Sequence, residues 1–469
     1  MRTRRTFLCS LGATAAFAQR RPSGPLRYSA DWNSLRRHPL PAWFNDAKLG
    51  IFVHWGLYSV PAWAPPTGEL GKVDFATWFA NNPYAEWYLN SIRLKNSQTW
   101  RHHVKTYGEE FDYYRFAETF NRETAKWQPS VWAKAFQQAG ARYVVLTTKH
   151  HDGFTLWPSQ VAHPNRPGLN SRRDLVGELT QAVRDAGLRM GLYYSGGLDW
   201  SFNSTPVATM EQVGGTIIHT EEYARYADAH WRELIARYQP SVLWNDIGYP
   251  RQGKLPEIFS DYYNQYPEGL INNRFTQDHF DFTTPEYAVA DRIQGKKWEA
   301  CRGLGFSFGY NRVEGPEHVM APEKVIALLV DIVSNNGNLL LNVGPRPDGS
   351  ISEIQLDRLA KLGAWMARNS EAIYGTTPAA NPAGKTADGR KVNFTRKGEV
   401  LYAFLHDRPA GPVTIENLFL DAAGKVSVLG GGAVKASQKG SALVVELPAQ
   451  PAAPYTVTLK IENGWQLAR

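Results

Sequence analysis

Between about residues 43 and 375, short runs of apolar residues alternate with longer segments whose apolar positions recur at helical spacing. The apolar runs predict strands at residues 49–53, 143–146, 190–194, 242–244, 270–271 and 339–343. The amphipathic segments predict helices at residues 130–139, 173–186, 220–238, 255–266, 321–335 and 353–371. Gly140 and Gly187 stand where two of these helices should end. Strands and helices in this alternating order indicate an α/β fold with a parallel sheet covered by helices.

Five of the predicted strands lead directly into polar residues suited to catalysis. They are followed by His54, by the Lys-His-His-Asp stretch 149–152, by Asp199, by Asp246 and by the Asn-Asn-Arg stretch 272–274. In a (β/α)8 barrel the C-terminal ends of all strands meet at one rim, and the active site is built there. We therefore predict a (β/α)8-like barrel as the catalytic domain, over residues 31–375, with one site at its rim.

The chain changes character after residue 376, where Gly, Ala and Pro become frequent. Short alternating runs follow at residues 391–395, 400–405, 412–418, 425–429, 442–447 and 455–461. Such closely spaced strands separated by turns predict a C-terminal β-sandwich domain over residues 379–469. The Pro-, Ala- and Gly-rich stretch 378–384 predicts a linker before it. This domain has no cluster of acids or histidines and no aromatic-rich face, so we expect it to support the barrel. Sugar binding by the sandwich is the alternative.

The first residues have the pattern of an export signal. Arg2, Arg4 and Arg5 precede a short apolar stretch at residues 7–17, and Ala16-Phe17-Ala18 supplies the small residues of a cleavage site. The apolar stretch is far shorter than the ~20 residues that a membrane span needs. The segment 3–8 is similar to a twin-arginine signal, and an ordinary secretory signal is the alternative. We expect residues 1–18 to be cleaved and the protein to be exported, to the periplasm if the source is a bacterium.

Charge and cysteine content limit the possible partners. The chain of 469 residues has 52 basic and 44 acidic side chains, a net charge of +8. Removing the signal takes three arginines and no acid, so the mature charge is 8 − 3 = +5. No run of five or six basic residues and no basic helix face occurs, so no nucleic-acid partner is expected. Of the two cysteines only Cys301 remains after cleavage, which excludes an intrachain disulfide.

Aromatic residues make up 13% of the chain, and several of them stand at the predicted strand ends. Aromatic faces combined with polar side chains suit a sugar, whose C–H face packs on a ring while its hydroxyl groups need directional partners. Hydrolysis of a glycosidic bond needs two carboxyl groups. Asp246, directly after a strand, is the candidate nucleophile, although a turn aspartate is the common fate of such a residue.

The pattern alone does not identify the residue that supplies the second carboxyl group. Glu286 lies in the stretch 281–287, whose Pro285 and paired threonines indicate an irregular loop that could reach the rim. A solvated loop glutamate is the alternative. Four further acids compete for the role: Glu86, Glu299, Asp152 and Asp199.

The His150-His151 pair raises the question of a metal site. No His-Glu-x-x-His or His-x-His motif accompanies it, so we predict no metal and assign the two imidazoles to sugar hydroxyl groups. A metal-dependent amidohydrolase-like barrel would need the missing His-x-His strand end. No dinucleotide or P-loop glycine motif follows a strand either, and we expect no cofactor.

Several long stretches, in this order along the chain, resemble alpha-L-fucosidases of glycoside hydrolase family 29. They are Ile-Phe-Val-His-Trp-Gly at 51–56, Glu-Trp-Tyr at 86–88, Thr-Lys-His-His-Asp-Gly-Phe at 148–154, Tyr-Ser at 194–195 before Asp-Trp at 199–200, Leu-Trp-Asn-Asp at 243–246, Ser-Phe-Gly-Tyr-Asn at 307–311, and Asn-Leu-Leu-Leu-Asn-Val-Gly-Pro at 338–345 with Asp-Gly at 348–349.

The resemblance implies a retaining exo-hydrolase that releases terminal alpha-L-fucose from a fucosylated glycan or glycoside through a covalent fucosyl-enzyme. It implies Asp246 as the nucleophile and Glu286 as the acid/base, while Phe52 and Phe308 would form the apolar wall at the sugar methyl group. The residues that would contact the sugar are His54, Glu86, Trp87, His150, His151, Tyr193, Trp244 and Arg274. A carbohydrate-binding protein that keeps the pocket without turnover is the alternative from another functional class.

Overall fold

The computed structural model describes residues 27–287, 293–407, 411–448 and 455–468. The predicted export signal at residues 1–18 lies outside the described residues. The helices within the described ranges are α1 Trp32–Leu35, α2 Ala42–Ala47, α3 Phe75–Ala80, α4 Tyr88–Arg93, α5 Gln98–Tyr107, α6 Phe116–Glu123, α7 Pro129–Gln138, α8 Leu175–Asp185, α9 Met210–Gly215, α10 Glu221–Tyr238, α11 Leu255–Gln265, α12 Pro322–Ser334 and α13 Glu353–Asn369. Short 3-10 turns are Leu57–Ser59, Ala85–Trp87, Tyr113–Arg115, Thr124–Lys126, Pro316–His318 and Ser370–Ala372.

Seven parallel strands form the first sheet. They are β1 Leu49–Val53, β2 Tyr143–Lys149, β3 Arg189–Ser195, β4 Val242–Asp246, β5 Leu270–Ile271, β6 Trp298–Gly303 and β7 Gly337–Val343. Their spatial order is β5-β4-β3-β2-β1-β7-β6, so β5 and β6 are the edge strands.

The segment 281–287, called the closing segment below, lies between these two edges. The Asp281 amide donates to the Ile271 carbonyl next to β5, at 2.9 Å. Further along, Thr283 and Glu286 form parallel bridges with Trp298 and Cys301 of β6. The closing segment therefore takes the place of an eighth strand and closes the sheet into a barrel.

Alternate residues of each barrel strand face opposite sides, as strand geometry requires. Ile51 and Val53 of β1 pack outward under the helices, whereas Phe52 packs inward. The inward side chains form one compact cluster that includes Phe52, Tyr143, Val145, Tyr193, Val242, Trp244, Leu270, Phe282, Cys301 and Leu340. Tyr143 fills the space beside Gly50, where an added Cβ would lie 2.5 Å from its ring. The barrel interior is thus a packed core, and its upper residues form the floor of the rim.

The predicted fold class is confirmed, with β6 as the main omission. Glu299 and Arg302 break the apolar pattern of Trp298–Gly303, so this strand was not predicted. Strands β2, β3 and β4 extend beyond the predicted apolar runs into Lys149, Ser195 and Asp246. Helices α7 and α8 are followed by Gly140 and Gly187 with φ of 91° and 74°, the left-handed conformation expected after a helix end.

The C-terminal domain consists of antiparallel strands around its own apolar core. These are β8 Thr377–Lys385, β9 Lys391–Lys397, β10 Val400–Leu405, β11 Pro412–Ile415, β12 Leu418–Leu420, β13 Lys425–Val428, β14 Gly432–Ala433, β15 Ala436–Lys439, β16 Ala442–Glu446, β17 Val457–Glu462 and β18 Trp465–Leu467. They form a six-stranded sheet in the order β14-β13-β17-β10-β9-β8, a three-stranded sheet and a two-stranded sheet.

The linker predicted at 378–384 is wrong. These residues belong to β8, which pairs with β9 at the edge of the six-stranded sheet. The composition is that of a turn, but an edge strand tolerates proline because one of its sides needs no hydrogen-bond donors. The predicted run 412–418 is likewise two strands, β11 and β12, separated at Asn417, whose φ is 55°.

The two domains share one continuous contact. In β10, Leu401, Ala403 and Leu405 face the sandwich core, whereas Tyr402 and Phe404 pack on the barrel helices. The Trp365 indole of α13 also donates to the Thr456 carbonyl at 2.9 Å. The sandwich therefore covers a helical flank of the barrel. Among the described helices, none has the length and apolar character to cross a membrane.

Candidate active site at the barrel rim

Asp246 is the last residue of β4, and three donors hold its carboxylate. The Tyr193 hydroxyl donates to Oδ2 at 2.8 Å, the Ile247 amide to Oδ1 at 3.0 Å and Arg274 Nη1 to Oδ1 at 2.6 Å. Burial alone would raise the pKa of Asp246, but the charges of Arg274 and His151 and the hydrogen bonds bring this pKa below its ordinary value. The carboxylate is therefore held ionised.

Glu286 reaches the same place from the closing segment. Its Oε2 lies 3.7 Å from Arg274 Nη2. Burial and the neighbouring Asp246 carboxylate raise the pKa of Glu286, and the charge of Arg274 only partly opposes this. The next residue, Tyr287, has a φ of 49°, and its ring packs beneath the Arg302 guanidinium at 4.9 Å. The contact between Tyr287 and Arg302 holds the end of the closing segment in place.

Arg274 lies between the two acids. Its Nε and Nη2 donate to the side-chain and backbone oxygens of Thr284 at 3.0 and 2.8 Å. The guanidinium lies 4.7 Å from the Trp244 ring centroid, within the range of a cation–π contact. Burial would lower the pKa of Arg274, but Glu286 and Asp246 outweigh it and raise this pKa above its ordinary value. Arg274 is therefore a permanent cation that contacts both carboxyl groups.

Three buried histidines face the space above Asp246. His54 bonds Asn342 through Nδ1 at 2.7 Å, and His151 bonds Ser195 through Nδ1 at 2.6 Å. The rings of His150 and His151 lie 4.0 Å apart. Burial lowers the pKa of His54 to about 3 and that of His151 to about 4, and it also lowers that of His150. All three are neutral near pH 7 and can exchange hydrogen bonds with hydroxyl groups.

Aromatic rings line the floor and walls. The Trp244 and Tyr193 rings are stacked with centroids 5.4 Å apart, and Phe52 meets Trp244 at 5.0 Å. The ring centroids of Phe308 and Phe52 lie 6.4 Å apart. On the opposite side Trp87 packs edge-on against His151 at 5.5 Å. The arrangement offers one apolar wall and flat faces for a sugar ring.

Glu86 supplies a third carboxyl group. It lies in the 3-10 turn Ala85–Trp87, and its Oε2 accepts from the Gly309 amide at 2.8 Å and from the Ser307 hydroxyl at 3.1 Å. Burial raises the pKa of Glu86 to about 7. A buried acid held by fixed donors suits a directional contact to a hydroxyl group.

The structure brings the twelve site residues that the family resemblance implies into one connected set. Direct contacts link Phe52, His54, Glu86, Trp87, His150, His151, Tyr193, Trp244, Asp246, Arg274, Glu286 and Phe308, either to each other or through the loop 307–309.

The other acids considered for the second carboxyl group have different surroundings. Asp199 pairs with Lys149 at 2.7 Å, with both side chains fully buried. Asp152 accepts from the Tyr113 hydroxyl at 2.8 Å. Glu299 lies under the floor, bonded to the Trp244 indole. Of the four competitors, Glu86 alone contacts the loop 307–309 that carries Phe308.

Three supporting residues were not given a role from the sequence. Asn342 holds His54, Ser195 holds His151, and Thr284 holds Arg274. A signal existed for Asn342, because it is a polar residue at an inward position of the apolar run of β7. Thr284 had none, since its role depends on the path of the closing segment.

Among the described residues, no three His, Cys, Asp or Glu side chains come together in a way that could hold an ion. His54 and His151 each bond a neutral side chain through one ring nitrogen.

The comparisons with a family model and with known proteins agree on one kind of enzyme. A family model described as Alpha-L-fucosidase matches residues 15–371. Tissue alpha-L-fucosidase of Homo sapiens is 34% identical over 460 residues, covering 93% of this chain and 91% of the human protein.

Solved structures agree with this similarity. Thermotoga maritima alpha-fucosidase in complex with fucose has a TM-score of 0.85 and 46% identity, covering 93% of this chain and 100% of that chain. Thermotoga maritima alpha-fucosidase in complex with a mechanism-based inhibitor has a TM-score of 0.86 at 46% identity, with the same coverage.

Proposed function

The chain belongs to the alpha-L-fucosidase family, glycoside hydrolase family 29, and we propose that Asp246 and Glu286 are the two carboxyl groups with which it hydrolyses terminal alpha-L-fucosides. The substrate class follows from the family and from the fucose-bound Thermotoga relative. The roles of the two acids follow from their surroundings.

In the first step Asp246 attacks the anomeric carbon while Glu286 protonates the departing glycosidic oxygen. The C–O bond to the leaving group breaks, and an ester between Asp246 and fucose forms. Asp246 must be ionised for this step, and Arg274 favours that state. Glu286 must carry a proton, and its raised pKa favours this.

In the second step Glu286, now a carboxylate, removes a proton from water. The water oxygen attacks the anomeric carbon, the ester to Asp246 breaks, and fucose leaves with its original configuration. Arg274 stays charged throughout and stabilises whichever carboxyl group is negative.

The remaining contacts suit fucose as the sugar. Fucose carries a methyl group at C5, so its pocket needs an apolar wall as well as hydroxyl partners. Phe52 and Phe308 offer that wall. The neutral His54, His150 and His151, together with Glu86 and the Trp87 indole, offer hydrogen-bonding groups on the other sides.

One observation supports this assignment most strongly. A single guanidinium contacts Asp246 at 2.6 Å and Glu286 at 3.7 Å, while the pKa of the first is lowered and that of the second is raised. Two adjacent carboxyl groups with oppositely shifted pKa values form the acid–nucleophile pair of a retaining glycosidase. A sugar-binding protein without turnover would not need this difference.

Hydrolysis of an aryl alpha-L-fucoside by the purified protein tests the proposal. Wild type should release the phenol, and Asp246→Gly should lose activity by about 10⁴-fold or more because no fucosyl ester can form. Azide should restore part of the release in this variant and yield a fucosyl azide of inverted configuration.

Asp278→Asn is the matched control, because Asp278 is exposed and bonds only within its own loop and to Arg36. It should retain wild-type turnover. Normal turnover by Asp246→Gly would refute the nucleophile assignment. Binding of fucose by wild type without any phenol release would support the sugar-binding alternative.

We also propose that residues 1–18 direct export of the protein. The support is the arginine cluster at residues 2–5, the short apolar stretch and the Ala16-Phe17-Ala18 cleavage pattern. The periplasm is then the proposed location.

A further inference from the structure

Glu299 is a buried acid that the proposed reaction does not use. It lies on β6 with no exposed surface, and its side chain points into the barrel below the site. Its Oε1 accepts from the Trp244 indole Nε1 at 2.9 Å, and its Oε2 accepts from the Tyr143 hydroxyl. The two donors come from β4 and β2, the strands on either side of β3.

Burying the Glu299 carboxyl group inside the barrel costs free energy. The inward side chains around it are mainly apolar and aromatic, and a buried carboxyl group is tolerated there only if both oxygens are bonded. The charged or titratable groups that act on it are Tyr143, Arg274, Lys297 and Cys301. A hydrophobic residue at this position would avoid the cost but would leave the Trp244 N–H without an acceptor.

Trp244 connects Glu299 to the reacting groups. One face of its indole stacks on Tyr193, whose hydroxyl bonds Asp246. The Arg274 guanidinium lies over the indole at 4.7 Å and bonds Asp246. The position of this ring therefore determines where two partners of Asp246 lie.

We propose that Glu299 is a positioning residue of the hydrolytic reaction, which holds the Trp244 indole by its N–H and through that ring places the Arg274 guanidinium against Asp246 and Glu286. This inference rests on the proposed function. Without this bond the Trp244 ring would be held by its contacts with Phe52, Tyr193 and Arg274, none of which fixes the direction of its N–H.

Glu299 positions Trp244 by accepting a hydrogen bond and not through its negative charge. Burial raises the pKa of Glu299 to about 7, and the bonds from Tyr143 and Trp244 oppose the shift. In either protonation state one carboxyl oxygen remains free to accept from the indole. A glutamine has the same shape and the same carbonyl acceptor, so it should replace Glu299.

Three variants test the proposal on an aryl alpha-L-fucoside. Glu299→Leu removes the acceptor, Glu299→Gln keeps it, and Tyr143→Phe removes the other hydrogen bond of the same carboxylate without touching Trp244. We expect kcat/KM to fall by about 10–100-fold in Glu299→Leu, the effect of misplacing catalytic groups by a fraction of an ångström to an ångström. Glu299→Gln and Tyr143→Phe should stay within about threefold of wild type.

The dependence of kcat/KM on pH distinguishes a positioning role from a general loss of stability. Its acid limb is the range over which activity is lost as the pH falls. The groups that face Asp246 are Arg274, Tyr193, His151 and Glu286. When Arg274 is less well placed, it lowers the pKa of Asp246 less, so activity should be lost at a higher pH. The acid limb should therefore move upward in Glu299→Leu and stay in place in Tyr143→Phe, even if both variants melt earlier.

If Glu299→Leu does not fold, Trp244→Phe tests the proposal instead. This variant removes the hydrogen bond between Trp244 and Glu299 but keeps an aromatic ring at position 244. Its acid limb should also move upward. The proposal is overturned if wild type is active and the acid limb is unchanged in these variants, or if Glu299→Gln is as impaired as Glu299→Leu. A wild type that releases no phenol would instead overturn the proposed function itself.

Discussion

Asp246 and Glu286 have similar side chains, and their neighbours make them chemically different. Asp246 accepts three hydrogen bonds, including one from a guanidinium, whereas Glu286 has only a 3.7 Å contact to that same group. Hydrogen bonds to a carboxylate favour its charged form, and burial without them favours the neutral form. The difference in local donors therefore separates the acid from the nucleophile.

Glu286→Ala should make hydrolysis depend strongly on the leaving group. Aryl fucosides with acidic phenols need little protonation and should lose less than about tenfold in kcat/KM, while poor leaving groups should lose about 10²–10⁴-fold. The alkaline limb of the pH profile should disappear, because in wild type it reports loss of the Glu286 proton as pH rises through the raised pKa.

Glu314→Gln is the matched control for that variant. Glu314 is another acid of the same rim, and burial raises its pKa to about 8, but it accepts from the Ser307 amide and does not contact Asp246 or Arg274. Its leaving-group dependence should equal that of wild type. An unchanged dependence in Glu286→Ala would assign the acid/base role to another residue.

The closing segment is the element on which the site depends most. It has neither the apolar run of a strand nor the periodicity of a helix, yet it occupies the eighth position of the barrel and carries Phe282, Thr284 and Glu286. Its start is held by Asp281, whose carboxylate accepts from His38 Nδ1 at 2.8 Å, the Tyr263 hydroxyl at 2.7 Å and the Ile271 amide at 2.8 Å.

Asp281→Ala should destabilise this element. Removing the acid leaves His38 Nδ1 and the Ile271 amide without this acceptor and the Tyr263 hydroxyl with His279 alone, so we expect the free energy of unfolding to fall by about 3 kcal/mol in chemical denaturation. In the folded fraction kcat/KM should fall as well, because Glu286 is five residues further along the same segment. Asp278→Ala, an exposed position three residues earlier, should change stability by less than about 0.5 kcal/mol. Equal stability of the two variants would contradict the anchoring role of Asp281.

At the scale of the molecule, a catalytic barrel is supported on one flank by a β-sandwich. The Thr395 hydroxyl donates to the Ala372 carbonyl at 2.8 Å, and the Tyr402 hydroxyl bonds Glu371 at 2.8 Å, so polar and apolar contacts both cross this boundary. The contacts lie beside α12 and α13, away from the rim. We therefore expect the sandwich to affect the site through the stability of the barrel.

The proposed export concerns the whole chain, because a signal segment directs the entire protein. Replacing both Arg4 and Arg5 with lysine should keep the charge of the segment and block passage through a twin-arginine pathway, which reads the arginine pair itself. We expect fucosidase activity to shift from the periplasmic to the cytoplasmic fraction, and the exported wild type to begin at Gln19. Arg2→Lys, outside the pair, should be exported normally. Export of the double variant at wild-type level would favour an ordinary secretory signal.

The sequence by itself was sufficient for six of the seven barrel strands and for α7, α8 and α10 to α13, because apolar periodicity is a local property that neighbouring residues carry. It also named the twelve candidate rim residues, most of them at strand ends or within family-like stretches, and their roles stay predictions. The pattern alone left Glu286 open. It failed where local composition and tertiary role disagree. Residues 378–384 have the composition of a linker and form an edge strand, and Glu299 interrupts the pattern of β6.

Only the tertiary structure decided how these residues act on each other. Arg274 and Glu286 are twelve residues apart, and their contact with Asp246 depends on how the closing segment crosses between β5 and β6. Trp244 and Glu299 are 55 residues apart, and their bond depends on the inward register of two strands. Such contacts follow from closure of the barrel, which sums many weak preferences along the chain, so no short stretch of sequence encodes them.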